Sequence, residues 1–541
     1  MRQKFSRRWT LRVTAALGLV VAASFGVNAI IMNEPLVPAL HPSPLEERSQ
    51  ILAGFQIGPD PEEIRNSLHV SQAELTQLNR DDEDGDKAYE LAFELGDVAF
   101  GVPWTAVDGS GANVGEGLRY TRMPRADLNG ATEWASHFPP RSTGPNGNSC
   151  AECHNLPAED GAGGPGGNVH RDPLHTGDPA QMITRNTPHL FGIGAVQLLA
   201  EEMTTVLRSI RDQAIAQANG SGSTVTLPLT VNGINFGTIS ADPGDTPGTT
   251  DKSGVVGIDN DLIVKPFQWK GENASLREFI RGAAHNELGM TATELVGTGI
   301  DSDGDGIVNE LTVGDITAMT IYNAAQPRPT TLVELSDLGI GLPLTAEERN
   351  QIRKGRNRFY QAGCTECHKE KMKLRRPIFQ EPSRTAGFRD NVFPSGDDPV
   401  AQQLNPNFPT FFDLTTQLPN NVIPLANGTI FSMGNFETDA RGRALVFMYG
   451  DMKRHDMGPE LAENIDEIGT GASVWLTEPL WGVGSTAPYM HDGRASTLTE
   501  AILLHGGEAA ASRDAFLAMN ENKQAQMIAF LNNLVLFKLP E

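Results

Sequence analysis

The chain has 541 residues, enough for roughly two to four ordinary domains. Its 67 acidic against 43 basic residues give a formal net charge of −24. That excludes a general nucleic-acid binder, sets the surface against anionic membranes and favours a basic protein partner.

The N-terminus reads as a targeting segment. "MRQKFSRRWTLR" carries five basic residues and no acidic one, and an uncharged, largely apolar run follows from Val13 to Met32. Basic then apolar is the order of a signal peptide, or of an anchor left uncleaved, so residues 1–32 are expected to be one of the two. The apolar run just suffices to span a bilayer. "SRRWTLR" also resembles a twin-arginine signal. Either way the body is expected in the periplasm or otherwise outside the cytoplasm, tethered to the inner membrane if the segment is retained. Residues 33–48 are Pro-rich and read as a linker.

Helical pieces such as "PEEIRNSLHVSQAEL" follow, then "DDEDGD" (81–86), an exposed acidic turn. All four cysteines lie in "NSCAECHN" (148–155) and "AGCTECHKE" (362–370), as two Cys-x-x-Cys-His motifs. A redox disulfide needs only the thiols, and one structural zinc needs two such knuckles close together. A c-type haem needs two thiols for its thioethers and the next histidine for its iron. Histidine at both sites favours two covalent c-type haems, with Cys150, Cys153, Cys364 and Cys367 as anchors and His154 and His368 as iron ligands. The Gly-rich stretch "EDGAGGPGGNVHRDP" can wrap closely around a flat cofactor.

Residues 219–258 change character. β-type residues around Asn232-Gly233 predict a hairpin insertion. "DSDGDG" places Asp301, Asp303 and Asp305 at the spacing that opens a calcium loop, with Thr312 where a bidentate glutamate belongs and Glu310 able to substitute. A second linker is expected near 325–343. Thr345 with Glu348 predicts a capped helix running into the second motif, and "NENKQAQMIAFLNNLVLF" a closing helix. The expected fold is mainly α: two cytochrome c-like haem domains, 49–330 and 340–541, with long loops and a small β-hairpin insertion.

"PLWGVGSTAPYMHDGRASTLTEAILLHGGEA" (479–509) resembles the C-terminal signature of the di-haem cytochrome c peroxidase superfamily. "RHDMGPELAE" (454–463) with "HGGEA" resembles its di-haem oxidoreductase, peroxidase-like branch, and rubber-cleaving di-haem oxygenases and di-haem maturation enzymes are similar. The stretch "FQWKGENASLREFIRGAAHNELGM" (267–290) resembles the segment carrying the family's inter-haem tryptophan and distal glutamate. The resemblance implies Trp269 as bridging indole, Glu287 as distal acid–base with His285 as understudy, and His505 as second ligand of the C-terminal haem. Methionine or tyrosine stands there in relatives, and two imidazoles lower a haem's potential. His189 is an alternative distal group; His491 with Arg494, and His455, are expected to hold structure or a propionate.

The implied activity is reduction of hydrogen peroxide with electrons from a small cytochrome c, which the net charge suggests is basic. The N-terminal haem would be catalytic and the C-terminal haem the relay. The alternatives are a dioxygen-using oxygenase acting on an organic substrate and a non-enzymatic electron carrier.

Overall fold

The structure is a computed structural model that describes residues 69–81, 85–111, 120, 139–385, 387–389, 404–416, 422–424 and 430–538. The expected targeting segment and first linker lie outside these. Among the described residues no helix is long and apolar enough to cross a membrane.

Helices α1 (Gln72–Asp81) and α2 (Asp86–Gly101) come first. In α2 the buried Ala88, Ala92, Gly96 and Phe100 recur every four residues, giving one apolar stripe. That stripe lies on α5 (Val313–Ala324), which is buried on every side. The two cross so closely that a Cβ on Gly96 would strike the Ala318 carbonyl.

The long helix α3 (Ile193–Ser221) carries the expected hairpin, β1 (Val225–Val231) and β2 (Ile234–Ala241). Its turn residues Asn232 and Gly233 have φ of 51° and 76°, the left-handed pair of a two-residue turn matching strand twist. Leu229, Val231, Ile234, Phe236 and Ile239 join the main core with α3, so the insertion is packed rather than appended. Helix α4 (Leu276–Ala283) continues into a π turn over Ala284–Leu288.

Residues 325–343, expected as a linker, are instead structured. They hold β3 (Thr330–Thr331) and α6 (Leu332–Asp337), and β3 pairs with a strand at Leu534–Val535 near the C-terminus. Arg328 forms an ion pair with Glu334. The turn and Pro signals in this stretch mark ends of short elements, not a flexible join.

The capped helix exists as α7 (Ala346–Gln361): Glu348 N donates to Thr345 Oγ1 at 3.2 Å and Thr345 N to Glu348 Oε2 at 2.7 Å. Strand β4 (Met372–Leu374) follows and pairs with β5 (Ala444–Val446). Helix α8 (Leu498–Leu503) precedes the closing helix α9 (Glu521–Asn532). Helix α7 crosses α9 at Gly355, where a Cβ would strike the Gln526 carbonyl. A second hydrophobic cluster, built on Phe359, Met527, Phe530 and Leu531, forms here.

Candidate active site

Both cysteine motifs share one turn, entered from extended Ser149 in the first and from left-handed Gly363 in the second. Each opens with a 3-10 turn, Cys150–Glu152 and Cys364–Glu366. Each histidine amide then donates to the first cysteine's carbonyl, at 3.0 Å for His154 and 2.9 Å for His368. The Phe100 ring lies 6.1 Å from His154 at 51°, and the Phe359 ring 6.2 Å from His368 at 50°. Each phenylalanine stands four residues after the glycine at its helix crossing. The chain therefore builds one frame twice: a Gly-x-x-x-Phe helix, its crossing partner, and a histidine against the phenylalanine.

The histidines are set up as ligands. His154 Nδ1 is 3.2 Å from Gly161 O and His368 Nδ1 3.0 Å from Tyr449 O. A carbonyl only accepts, so the proton sits on Nδ1 and the Nε2 lone pair is available. Burial pushes both imidazoles down to about 4, keeping them neutral. The Cys150 thiol is pushed up to about 12 and Cys364 to about 11, chiefly by burial, which suits thioethers better than thiolate ligands. No described cluster of metal-binding side chains unites the two cysteine pairs.

The two sites differ across the ring. His505, just past α8, has Nδ1 2.8 Å from Ala501 O. Its ring centroid lies 6.5 Å from that of His368. Imidazoles on opposite faces of one metal, with bonds of about 2 Å, place their centroids roughly 6 Å apart, so this pair fits a single iron between them. The pair lines a cavity of about 320 Å³, mostly apolar, with Cys364, Cys367, His189 and Trp269 also on its wall. Among the described residues the ring contact of His154 is Phe100; His189 lies near enough for His154 to help lower its pKa, but the Nε2 of His189 is spent on Trp481 O.

Trp269 Nε1 donates to Asn186 O at 2.9 Å. Two residues on, the Pro188 carbonyl lies against His154. A short stretch of backbone thus joins this indole to the first motif. His189 spends Nε2 on Trp481 O at 2.9 Å, and its Nδ1 is buried without a hydrogen-bond partner.

Glu287 sits in the π turn after α4, a helix distortion common at functional sites. Its backbone carbonyl accepts from Asn146 N (2.9 Å) and Gly147 N (3.2 Å), which fixes it just ahead of Cys150. Burial, opposed by Arg171 and an Asn146 hydrogen bond, raises its carboxyl to about 7, and Oε2 has no hydrogen-bond partner. A cavity of about 390 Å³ opens beside it, walled by Asn146, Gly147, Cys153, Gly167 and Asn168. His285 points its Nε2 to Pro139 O at 2.9 Å, so that nitrogen is committed to the backbone.

His455 bridges Asp451 (3.0 Å) and Glu508 (2.8 Å). Burial opposes its charge, but these carboxylates and Cys367 prevail and raise it to about 10. It is therefore a fixed cation beside the second motif. His491 stacks on Trp475 at 3.8 Å and is kept neutral by burial, while Arg494 pairs with Asp492. Sequence reasoning missed Glu478, on the His368–His505 cavity wall and raised to about 8 by burial. It also missed Lys270, 4.1 Å over the Trp475 ring. Only long-range packing creates these two environments.

The carboxylates of Asp301, Asp303 and Asp305 gather within 4.8 Å of one another. Asp301 accepts from Gly304 N, Asp305 N and Gly306 N; Asp303 stands 3.5 Å from Arg141. Thr312 caps α5, accepting from Asp315 N, and so is used structurally. Glu310 is buried and accepts from Thr291 N at 2.7 Å.

Residues 427–534 match the family model described as "Di-haem oxidoreductase, putative peroxidase". No curated protein matches the chain. Among solved structures, a MauG-like protein associated with microbial copper homeostasis is similar at 17% identity and a TM-score of 0.23, over 50% of this chain and 68% of that one. The matched stretch holds His455, Glu478 and His505, while both cysteine motifs lie outside it.

Proposed function

We propose that the protein is an exported di-haem c-type oxidoreductase that reduces hydrogen peroxide with electrons from a redox-protein donor. The observation that carries this is the asymmetry between two otherwise equal frames. His368 has the ring of His505 across from it; His154 has the ring of Phe100 and a His189 whose Nε2 is committed to Trp481 O, and the carboxylate of Glu287 is held beside its motif. Cys150, Cys153 and His154 would hold one haem, and Cys364, Cys367, His368 and His505 the other. Bound haem supplies the redox equivalents and an exchangeable coordination position.

The chain's own residues do the rest. Splitting the O–O bond requires a proton to move from the near to the far oxygen, and Glu287 is poised to accept and return it. Two electrons and two further protons complete the conversion of one peroxide to two waters. Those electrons enter at the His368–His505 site, and Trp269, on the wall of that cavity and bonded to Asn186, lies on the way to His154. The basic-then-apolar N-terminus supports export.

The test is a holoprotein spectrum followed through peroxide addition with a reduced cytochrome donor. Oxidation of the donor in proportion to peroxide is expected. If peroxide oxidises neither donor nor haem, the peroxidase reading fails.

We also propose that Asp301, Asp303, Asp305 and Glu310 hold a calcium ion. Three carboxylates within 4.8 Å of one another, with Glu310 raised to about 9 by burial and by Asp303 and Asp305, concentrate negative charge that a hard cation would relieve.

A further inference from the structure

The chain-wide charge points to a basic donor; the surface behind the second motif points the other way. Between Arg349 and Arg376 the sequence has ten Lys or Arg and two Glu, in a chain with a net charge of −24. Lys369 follows His368 directly. Strand alternation then turns Lys371, Lys373 and Arg375 to solvent while Met372 and Leu374 are buried. Side chains two apart on a strand are about 7 Å apart, so these like charges repel one another. Lys373 has Asp439 at 3.7 Å, a group that Arg443 already claims, and the Arg375 backbone N–H donates to Glu202 Oε1 at 2.9 Å.

Two aromatic rings lie exposed beside the row. Tyr360 is 41% exposed with Arg356 over its ring, and Phe447 is 39% exposed with Lys371 Nζ 5.4 Å from its centroid. Exposed aromatics within a cationic rim are a protein-docking composition. The patch also backs onto the second site: two residues after Phe447, the Tyr449 carbonyl holds His368 Nδ1 at 3.0 Å.

We propose that this face, Lys369 to Arg375 with Tyr360 and Phe447, docks an acidic redox protein that exchanges electrons at the His368–His505 site. The proposal rests on the relay reading of that site and gives its partner a charge. The net charge of −24 repels an acidic partner elsewhere on the molecule, so its encounters are oriented to this patch; a basic partner would be held all over the surface, mostly unproductively. The same charge disfavours an anionic bilayer as the occupant.

The test measures binding apart from turnover. The holoprotein is titrated by calorimetry with an acidic c-type cytochrome, a basic one and anionic phospholipid vesicles, at low and high salt. The acidic cytochrome should bind, weaken with salt, and bind at least tenfold more weakly to the Lys371→Glu/Lys373→Glu variant whose haem spectrum is unchanged. Tighter binding of the basic cytochrome, an unchanged acidic affinity in the variant, or vesicle binding lost by the variant would each overturn the proposal. Wild-type peroxide turnover with a small artificial donor is scored separately. Its absence removes the peroxidase reading and leaves the docking result to stand on its own.

Discussion

The rings of His368 and His505 lie with centroids 6.5 Å apart, each with Nδ1 bonded to a backbone carbonyl, which leaves Nε2 as the nitrogen with a lone pair for a metal. A bis-imidazole iron favours the ferric state more than a histidine–methionine one. His505→Met is therefore expected to raise the potential of the second haem, by on the order of 0.1–0.3 V within the roughly 0.8 V that axial ligands span. His505→Ala should convert that haem from low to high spin and leave the first unchanged. A redox titration with matching spectra reads both; an unmoved potential would remove His505 from the iron.

The Glu287 carboxyl, raised to about 7 by burial, gives two pH signatures of opposite direction. As a proton acceptor it must be ionised, so peroxide turnover should rise through about pH 7. Glu287→Gln should flatten that rise and lower kcat by about 10²–10⁴. Stability runs the other way. Below the ordinary value of 4.5 the group is neutral folded and unfolded. As pH climbs from there to about 7 the unfolded chain ionises first, and folding is penalised from that point upward. Glu287→Gln should thus match the wild type at pH 4 and be the more stable protein at pH 8. Equal urea midpoints at pH 8 would show that the carboxyl is not buried as described.

The half of the site written in local spacing was legible in the sequence: both cysteine–histidine motifs, the capped helix before the second, the hairpin at Asn232-Gly233, and His505 through a resemblance. What the sequence hid is made by crossings. Gly96 and Phe100 read as ordinary members of an apolar stripe, and only the approach of α5 shows that they repeat Gly355 and Phe359. Residues 325–343 read as a linker because Pro and Gly punctuate them, whereas pairing with Leu534–Val535, some two hundred residues away, orders them. Gly355→Ala tests the frame. A Cβ there meets the backbone of α9, which cannot yield as a side chain would, so the variant should lose the second haem's spectrum and keep the first. Retention of both would show that the α7–α9 crossing has slack.

The acidic turn at Asp301–Asp305 predicts a calcium response. If a cation binds only the folded protein, calcium at a hundredfold above its Kd adds about 2.7 kcal/mol. Melting should therefore move upward between chelator and millimolar calcium, and Asp303→Asn should abolish the shift. An identical Tm in both buffers rejects the site.

Lys538 reaches back 378 residues to Asp160, with Nζ 2.7 Å from Oδ2, and the Tyr322 hydroxyl donates to the same oxygen at 3.0 Å. All three side chains are buried. Asp160 lies in the loop after the first motif, and its carbonyl accepts from Leu190 N, beside the segment that faces His154. The C-terminal tail is thus tied to the first haem frame rather than to the second, from which it emerges. Removing one partner of a buried pair strands the other's charge, so Lys538→Met should cost about 3–5 kcal/mol in urea unfolding. Adding Asp160→Asn should recover much of that loss, because the stranded charge is gone. The lesion should also be uneven, with the first haem's absorbance falling before the second's. A loss below about 1 kcal/mol, the range of an exposed pair, would show that the tail does not lock this loop.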